Sequence, residues 1–334
     1  MSEIKPFTGV DDRTVLADAI PLDMPYTLNI FPSNICNFKC RYCAQSLGRE
    51  VLQRAYDLPP QHMSLDVMEQ VVRQAKAFPR PFKLVSMMGH GEPLCDPQLP
   101  EKIYMVKQAG IAERVDIITN ASLLSRAYSD KLLEAGLDVL RVSLQGVTSS
   151  AYQETCGVAL DFEQLYQNLS YFFHKRGNCR LYVKVVDAAL GDGEEEVFFQ
   201  RFGPITDRMY IDRIKPVYSG VAYTEQERDL LVDRYGNRHE KRIVCPQPFY
   251  MLSVWANGDV APCDALYKAC PLGNVGEVSL REMWESEKRK AFCRLQLRGM
   301  REHDSACTRC CAPDDVQHEE DVLDDKRMEL LQKF

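Results

Sequence analysis

Short apolar runs and amphipathic stretches of helical period alternate over the first two thirds of the chain. The apolar runs predict strands at residues 26–31, 82–88, 115–119, 138–144, 180–186 and 209–214. The amphipathic stretches predict helices at residues 64–77, 97–109, 125–135, 149–153, 162–175 and 194–202. Ser64 is placed to cap the first of these helices. The pattern is therefore a repeated strand–helix unit.

This alternation favours a parallel sheet with right-handed crossovers. Six units are fewer than the eight strands of a closed TIM barrel. The prediction is an α/β fold with a partial (β/α)6 TIM-like barrel at residues 26–222, after a lead-in at residues 1–25. Such sheets bind ligands at the carboxyl ends of their strands. Functional residues are therefore expected in the segments that directly follow the strands.

The alternation stops beyond the sixth strand. Residues 223–243 are strongly charged and predict a linker or a surface helix. Asn257-Gly258, between two apolar runs, is a strong hairpin signal. The later pattern predicts strands and a helix at residues 250–255, 259–262 and 279–298. We expect a small α+β domain at residues 223–312 and an acidic tail at 313–334 that packs on the body or stays mobile.

Composition, net charge and the lengths of the apolar runs indicate which classes of protein this sequence can belong to. The chain has 334 residues, of which 45% are hydrophobic and 27% charged, as in an ordinary soluble globule. A net charge of −7 argues against nucleic-acid and anionic-membrane partners. No apolar run is long enough to span a bilayer, and residues 1–18 lack the apolar core of a signal peptide. We therefore expect a cytoplasmic protein that binds neither membranes nor nucleic acids.

Three thiols follow the first predicted strand within eight residues, at Cys36, Cys40 and Cys43. A [4Fe–4S] cluster has four irons, so three protein ligands leave one iron open to bind another molecule. A zinc site or an electron-transfer cluster would also use closely spaced thiols. Zinc sites usually combine two C-x2-C pairs, and bacterial ferredoxins add a fourth cysteine three residues on, followed by proline. Neither pattern is present here.

This spacing, with Tyr42 in the aromatic position, resembles the CxxxCxΦC signature of the radical S-adenosylmethionine (SAM) enzymes. The resemblance implies a [4Fe–4S] cluster whose open iron binds the amino and carboxylate groups of SAM. It also implies reductive cleavage of SAM to a 5′-deoxyadenosyl radical that abstracts a substrate hydrogen. A flavodoxin- or ferredoxin-type reductant is the implied partner.

The second strand is followed by Gly89-His90-Gly91-Glu92-Pro93. Alone, this segment could be a turn with a solvated glutamate. One strand after the cysteine loop, it resembles the GGEP motif of the same family, which binds the amino group of SAM. The resemblance makes Gly89, Gly91, Glu92 and Pro93 candidate cofactor-binding residues. His90 departs from the motif and is expected to form a polar wall rather than to ligate metal.

The next two strand ends carry further candidates, Asn120, Ser143 and Gln145. They resemble the TNG and SxDG segments of the family, of which the second contacts SAM. Gln145 replaces the usual aspartate, so a negative charge is missing there. Cys156 stands where many relatives carry an arginine that holds the SAM carboxylate. Another cation must then provide that contact, or the contact is absent.

Lys184 lies within the apolar fifth strand. A lysine in an apolar wall is unfavourable unless its charge is paired. The sequence predicts, with equal weight, a role in the site or a structural ion pair.

The second group of cysteines is Cys245, Cys263, Cys307 and Cys310, with the spacing C-x17-C-x43-C-x2-C. Four thiolates saturate either zinc or a [4Fe–4S] cluster, and the spacing does not distinguish the two. Cys311 directly follows and could replace Cys310 as the last ligand.

This region resembles the SPASM/twitch extension of radical SAM enzymes. The full SPASM form has seven cysteines and two auxiliary clusters, but its later CxxCx5C run is missing here. The resemblance therefore implies the shorter twitch type, with one [4Fe–4S] auxiliary cluster. The remaining cysteines are expected to be small core residues: Cys95, Cys156, Cys179, Cys270 and Cys293.

In spacing and length the chain is similar to twitch-type aminocyclitol and carbohydrate dehydrogenases and epimerases. That similarity implies oxidation of a carbinol in a small sugar- or cyclitol-like substrate, with the auxiliary cluster accepting an electron. An epimerase would use a cysteine hydrogen donor, for which Cys156, Cys270 and Cys311 are candidates. Two further functions stay open, namely peptide modification and a non-enzymatic role as an iron–sulfur or zinc carrier. The sequence assigns neither a catalytic base nor an oligomeric state.

Overall fold

The computed structural model describes residues 2–7, 13–316 and 318–334. Parts of the predicted lead-in (1 and 8–12) and of the predicted tail (317) lie outside these residues. One sheet contains all ten strands of the described residues. They are β1 (Glu3–Ile4), β2 (Thr27–Ile30), β3 (Leu84–Met87), β4 (Val115–Thr119), β5 (Val139–Leu144), β6 (Arg180–Val186), β7 (Arg208–Asp212), β8 (Met251–Val254), β9 (Asp259–Ala261) and β10 (Gly273–Asn274).

The strand order is β1-β7-β6-β5-β4-β3-β2-β8-β9-β10. Strands β2 to β7 are parallel and adjacent in chain order, as the six strand–helix units predict. Two strands extend this parallel core: β1 pairs with β7, and β8 pairs with β2. The predicted α/β class with a parallel barrel-like core is confirmed.

Thirteen α-helices lie in the described residues, most of them between consecutive strands. They are α1 (Leu16–Ala19), α2 (Arg49–Tyr56), α3 (Leu65–Ala75), α4 (Leu99–Ala109), α5 (Arg126–Glu134), α6 (Ser149–Cys156), α7 (Phe162–Lys175), α8 (Glu194–Phe202), α9 (Gln247–Tyr250), α10 (Leu280–Glu285), α11 (Glu287–Leu297), α12 (Ala312–Asp315) and α13 (Arg327–Leu330). None of them is long and apolar enough to cross a bilayer.

Side-chain caps fix where several barrel helices begin. Ser64, Ser125, Thr148 and Asp161 each accept a hydrogen bond from the backbone N–H of the third helical residue. Each cap satisfies one of the N–H groups that have no partner inside the helix. These caps place the helix starts within two residues of the sequence prediction.

The C-terminal segment continues the barrel sheet instead of forming a sheet of its own. The predicted hairpin is present, because β8 and β9 pair antiparallel around Asn257-Gly258, and Gly258 has a positive φ of 88°. Strand β8 lies parallel to β2, with Thr27 opposite Met251. The residues after the barrel are thereby placed beside the strand that leads into the cysteine loop.

Three local predictions differ from the structure. The helix predicted at 279–298 is broken at Ser286, which has extended backbone and caps α11 through the Arg289 N–H. Helix α2 was not predicted, because its region has the composition of a polar loop. Residues 223–243 contain no α-helix and fold mainly as turns.

A second apolar cluster joins the two ends of the described chain to the C-terminal domain. Leu16 of α1 packs there with Phe249 and Leu297, and with Leu323 and Leu330 of the tail. Burial of several apolar side chains is favourable by about 1.5–3 kcal/mol each. The described part of the tail therefore packs on the body.

Candidate functional site

The cysteine loop is held against the end of α6 by its backbone. The Lys39 N–H donates to the Cys156 carbonyl at 3.3 Å, and the Arg41 N–H donates to the Thr155 carbonyl at 2.9 Å. Phe38 is buried and anchors the loop in the core of the barrel. The position of the loop is therefore set by α6 as well as by β2.

The three thiols of this loop lie in partly buried surroundings. The Phe38 N–H lies 3.4 Å from Cys36 Sγ, and Cys40 Sγ lies 3.4 Å from Cys156 Sγ. Burial raises the pKa of Cys43 to about 12. Thiols must lose their protons to bind iron, so loading a cluster here would release protons.

The Gly89–Pro93 segment packs against the backbone just before the cysteine loop. A Cβ on Gly91 would lie 2.3 Å from the Ser33 carbonyl oxygen and 2.7 Å from that of Ile35. The Glu92 N–H donates to the Ile35 carbonyl at 2.8 Å, and Gly89 has a positive φ of 136°. Glycine at these positions is required for the close approach of the two segments.

The Glu92 carboxylate connects two strand ends. Its Oε1 accepts from the Leu94 N–H at 2.9 Å and from the Thr119 hydroxyl at 2.5 Å, and Oε2 accepts from the Asn120 N–H at 2.7 Å. Burial raises the pKa of Glu92 to about 7, although these donors lower it. Contact of Glu92 with the amino group of SAM stays a prediction.

Asn37 joins the cysteine loop to the segment after β4, a role that the sequence did not reveal. Its Nδ2 donates to Ser122 Oγ at 2.8 Å, and its Oδ1 accepts from Asn120 Nδ2 at 3.0 Å. Asn120 Oδ1 in turn accepts from the Ser122 N–H at 2.9 Å. The only sequence signal was the position of Asn37 between two of the candidate ligands.

Two polar groups near these strand ends are left for a ligand. Gln145 Nε2 donates to the Ser143 carbonyl at 3.0 Å, and the Gln145 N–H donates to Tyr152 Oη at 3.2 Å. Gln145 Oε1 and Tyr42 Oη are buried and have no hydrogen-bond partner among the described residues. Unpaired buried polar atoms are unfavourable, so they fit a site that binds a polar molecule such as SAM.

The four C-terminal candidates line one small buried cavity, together with side chains that include Phe292, Ala269 and Arg301. The thiols that face this cavity are Cys245, Cys263, Cys307 and Cys310. Cys311 is buried but does not line it.

Donors surround two of these sulfurs. Gln296 Nε2 lies 3.7 Å from Cys307 Sγ, and the Ala312 N–H lies 3.4 Å from Cys310 Sγ. Arg301 Nη2 donates to the carbonyls of Cys307 at 3.0 Å and Cys310 at 2.8 Å. N–H groups and a cation near sulfur stabilise thiolate ligands of a cluster.

Within the part of the chain that the structure describes, no three His, Cys, Asp or Glu side chains converge as a single-ion site. Zinc requires its ligands about 2.0–2.3 Å from one ion. In a [4Fe–4S] cluster each thiolate binds a different iron, so the ligands need only surround a common space. The donor set around the C-terminal cavity fits a cluster.

A central cavity of about 390 Å³ lies inside the barrel. Its wall includes Gly89, His90 and Cys310. Asn29, Ser86, Arg141, Lys184 and Asp212, which lie on strands, contribute polar groups to it. Each of the two groups of candidate residues thus contributes one residue to the cavity wall, Gly89 and Cys310.

Ion pairs organise the charged wall of this cavity. Lys184 pairs with Asp212, and both side chains are mostly buried. Arg234 Nε donates to Asp315 Oδ1 at 3.1 Å. Burial lowers the pKa of Lys184, and the nearby Asp212 carboxylate opposes that shift. Lys184 therefore makes an ion pair and also lines the cavity, so the two expectations for it are compatible.

His90 is a neutral acceptor in this wall. Its Nε2 lies 3.0 Å from the Asp264 carbonyl oxygen. A carbonyl only accepts, so Nε2 carries the proton and Nδ1 has a lone pair. Nδ1 has no hydrogen-bond partner in the described residues. Burial lowers the pKa of His90 to about 4, so the ring is uncharged at neutral pH.

Comparison with known families gives two matches. Residues 30–194 match the profile of the radical SAM superfamily. Residues 245–311 match SPASM, an iron–sulfur cluster-binding domain.

Curated relatives include the GTP 3',8-cyclase of Chlorobaculum tepidum, 33% identical over 132 residues, or 40% of this chain and 36% of the relative. The probable GTP 3',8-cyclase of Metallosphaera sedula is 30% identical over 131 residues, covering 39% of this chain and 38% of the relative. The match thus spans little more than a third of these relatives' length.

Three solved structures share the fold. Streptococcus suis SuiB superposes with a TM-score of 0.63, at 16% identity over 91% of this chain and 79% of SuiB. BtrN in complex with AdoMet and 2-DOIA gives 0.55, at 17% identity over 86% of this chain and 93% of BtrN. anSMEcpe with bound AdoMet gives 0.57, at 16% identity over 92% of this chain and 96% of anSMEcpe.

The cofactors follow from these matches. A radical SAM domain binds a [4Fe–4S] cluster and SAM, and a SPASM domain binds an auxiliary iron–sulfur cluster. The thiols, the unpaired polar groups and the thiol-lined cavity described above fit these groups. The chain belongs to the radical SAM superfamily and carries a C-terminal SPASM iron–sulfur cluster-binding domain.

Proposed function

We propose that this enzyme oxidises a carbinol carbon of a small polar, sugar- or cyclitol-like molecule to a ketone. The supporting observation is the central cavity, whose wall joins the Gly89–His90 turn to Cys310. Its volume of about 390 Å³ is in the range of small-molecule sites. A substrate there would lie between the SAM-binding motif and the auxiliary-cluster domain.

Cys36, Cys40 and Cys43 would hold the SAM-binding cluster. Its chemistry when loaded is reductive cleavage of SAM, which supplies a radical able to remove a hydrogen atom from the substrate. Tyr42 Oη and Gln145 Oε1 are available to hydrogen-bond SAM, since both are buried without partners in the described residues.

The auxiliary cluster would be held by four thiolates, from Cys245, Cys263, Cys307 and Cys310. Cys310 is favoured over Cys311 as the fourth ligand, because only Cys310 lines the common cavity. A fully ligated cluster has no open iron for substrate, so electron acceptance is the role that remains for it. Cys310 also lines the central cavity, so electron transfer would need only a short path.

The wall of the central cavity suits a molecule with several hydroxyl groups. Lys184 and Asn29 provide donors, Asp212 provides an acceptor, and the lone pair of His90 Nδ1 can accept from a substrate hydroxyl. Tyr267 helps to close the wall, where its hydroxyl donates to the Val217 carbonyl at 3.1 Å. These residues would bind and orient the carbinol and exclude water.

The thiols argue against an epimerase. Return of a hydrogen atom to the substrate needs a free thiol at the cavity. Among the described cysteines, Cys310 is the only one that lines it, and Cys310 is a proposed cluster ligand. The candidate donors Cys156, Cys270 and Cys311 do not line the cavity.

Peptide modification is the second candidate, because one structure of the SuiB neighbour is described as bound to the precursor peptide SuiA. The central cavity favours a compact substrate over an extended chain.

A flavodoxin- or ferredoxin-type protein would supply the electron for SAM cleavage.

The test is turnover by the anaerobically reconstituted full-length protein with SAM, a reductant and a panel of polyols and aminocyclitols. We expect one ketone per 5′-deoxyadenosine with a matching substrate. Cyclisation of GTP, an isomer containing solvent deuterium, or modification of a peptide would each contradict carbinol oxidation. Cys36→Ala is the control, and it should form neither the ketone nor 5′-deoxyadenosine.

A further inference from the structure

Cys156 is the last residue of α6, and its side chain is only 1% exposed. Its sulfur lies 3.4 Å from Cys40 Sγ. Two backbone hydrogen bonds hold the cysteine loop to the same turn, from Lys39 to Cys156 and from Arg41 to Thr155. The sulfur contact is therefore fixed by backbone on both sides of Cys40.

Buried rings enclose this contact. Phe38 of the loop and Tyr152 of α6 pack edge to face, with their centroids 5.9 Å apart. Both side chains are buried, so water is largely excluded from the space around Cys156. A weak hydrogen bond is stronger in such surroundings than in water.

Ligation decides the direction of a hydrogen bond between the two sulfurs. A cysteine bound to iron is a thiolate, which has no proton and can only accept. Cys156 is not one of the proposed ligands, so its sulfur is that of a thiol, whose S–H is a weak donor. The donor must then be the S–H of Cys156.

We propose that Cys156 is a positioning residue for the SAM-binding cluster. Its S–H donates a hydrogen bond to the Cys40 sulfur and thereby raises the reduction potential of that cluster. The inference rests on the proposed ligand role of Cys40. A hydrogen bond to a ligating sulfur offsets negative charge, so it favours the reduced cluster, which is the more negative state. Cys156 is thus more than the small core residue expected from sequence.

The sulfurs of Cys36 and Cys40 differ in their neighbours. Cys36 Sγ lies 3.4 Å from the Phe38 N–H, a backbone donor that only a proline substitution would remove. Cys40 has a side-chain thiol as its neighbour instead. Its electronic environment can therefore be altered by a single substitution that leaves all three ligands in place.

The test compares Cys156→Ala and Cys156→Val, which remove the donor, with Cys156→Ser, which keeps one. Full-length protein is reconstituted anaerobically and titrated with reductant. The measured quantity is the midpoint potential of the EPR signal that changes when SAM is added, which separates this cluster from the auxiliary one. We expect a negative shift in the Ala and Val variants and a potential at or above wild type in the Ser variant.

Cys179→Ala is the matched control. Cys179 is a buried thiol at the amino end of β6, away from the cysteine loop, and its removal should leave the potential unchanged. No shift in the Ala and Val variants would overturn the proposal. A shift in the Ser variant equal to that in the Ala variant would overturn it too, because volume and not hydrogen bonding would then be the cause.

Iron and sulfide analysis separates this inference from the proposals on which it rests. If Cys40→Ala retained the complete SAM-binding cluster, the ligand assignment would be wrong. If Cys40→Ala lost the cluster but Cys156 variants showed wild-type potentials, only the role of Cys156 would be wrong. No substrate is needed, so failure of carbinol oxidation would not affect the result.

Discussion

The two thiol groups of this protein are surrounded in different ways. The cysteine loop at Cys36–Cys43 contains Tyr42 Oη, and the segment after β5 contains Gln145 Oε1; both are buried polar atoms that lack partners in the described residues. The C-terminal thiols line a small cavity closed by apolar side chains such as Phe292 and Ala269. The first arrangement leaves polar groups free for an incoming molecule, whereas the second encloses its contents.

This contrast agrees with the number of candidate ligands in each group. Three thiolates leave one iron of a [4Fe–4S] cluster without a protein ligand, and four leave none. The surroundings of the thiols and the number of cysteines therefore agree: both indicate one site that is open to a further molecule and one that is closed. The predictions below test whether the two sites are separable, beginning with the largest expected effect.

Removing one thiol from the first group is expected to abolish SAM cleavage. Cys36→Ala or Cys43→Ala should form less than about 1% of the wild-type 5′-deoxyadenosine, and bound iron should fall from about eight to about four per chain. Chromatography of the nucleoside products and iron analysis provide the measurements. Cys95→Ala, which removes a nearby thiol outside the proposed ligand set, should retain both iron and cleavage. Full cleavage in the Cys36 or Cys43 variants would disprove the assignment.

Cys310→Ala and Cys311→Ala distinguish the last ligand of the second group. We expect Cys310→Ala to lose the auxiliary cluster, with about four irons left per chain. Ketone formation should then fall by at least about tenfold, while SAM cleavage persists. Cys311→Ala should keep about eight irons, because Cys311 does not line the cavity. The opposite pattern in iron analysis would assign Cys311 as the ligand.

Lys184→Met tests the charged wall between the two sites. The substitution leaves Asp212 buried, with Arg234, 4.0 Å away, as its remaining ion-pair partner among the described residues. Breaking a buried ion pair by removing one partner typically costs about 3–5 kcal/mol. Urea unfolding should show a loss of that order, and the double variant Lys184→Met/Asp212→Asn should recover part of it. A loss below about 1 kcal/mol would mean that the pair behaves like a solvent-exposed one.

Glu92 is expected to make stability depend on pH. Its pKa is raised to about 7 in the folded chain by burial, above the value of about 4.3 for an unfolded glutamate. The folded state therefore binds more protons in this interval, and the free energy of unfolding falls as pH rises from about 4.5 to 7. The total fall is on the order of 3 kcal/mol.

Glu92→Gln removes this titration, so its stability should lack that part of the pH dependence. Urea unfolding of the iron-free protein at several pH values between 5 and 8 measures the difference from wild type. Curves that stay parallel over this range would show that the carboxyl group of Glu92 titrates normally.

Local patterns in the sequence predicted the parts of the structure that depend on near neighbours. The six apolar runs became β2 to β7, and Asn257-Gly258 became the turn between β8 and β9. Cysteine spacing predicted both groups of candidate ligands, because each group lies in recognisable segments of the sequence. These features need little information about distant residues.

Contacts between remote residues were not predictable in the same way. The pairing of Glu3 with Arg208, the sulfur contact of Cys40 with Cys156 and the link from Asn37 to Asn120 each join separate segments. No periodicity or motif specifies such pairs, since they follow from how the barrel closes around its core. The central cavity was likewise invisible, because its wall takes side chains from most of the chain.

The parallel pairing of β8 with β2 determines how the C-terminal domain could be removed or exchanged. Because Met251 lies opposite Thr27 in a continuous ladder, the SPASM segment acts as a neighbouring strand and not as a tethered appendage. Its truncation would leave β2 as an unpaired edge of the sheet with exposed backbone amide groups, which invites aggregation. The position of β8 beside the barrel is accordingly set by strand register.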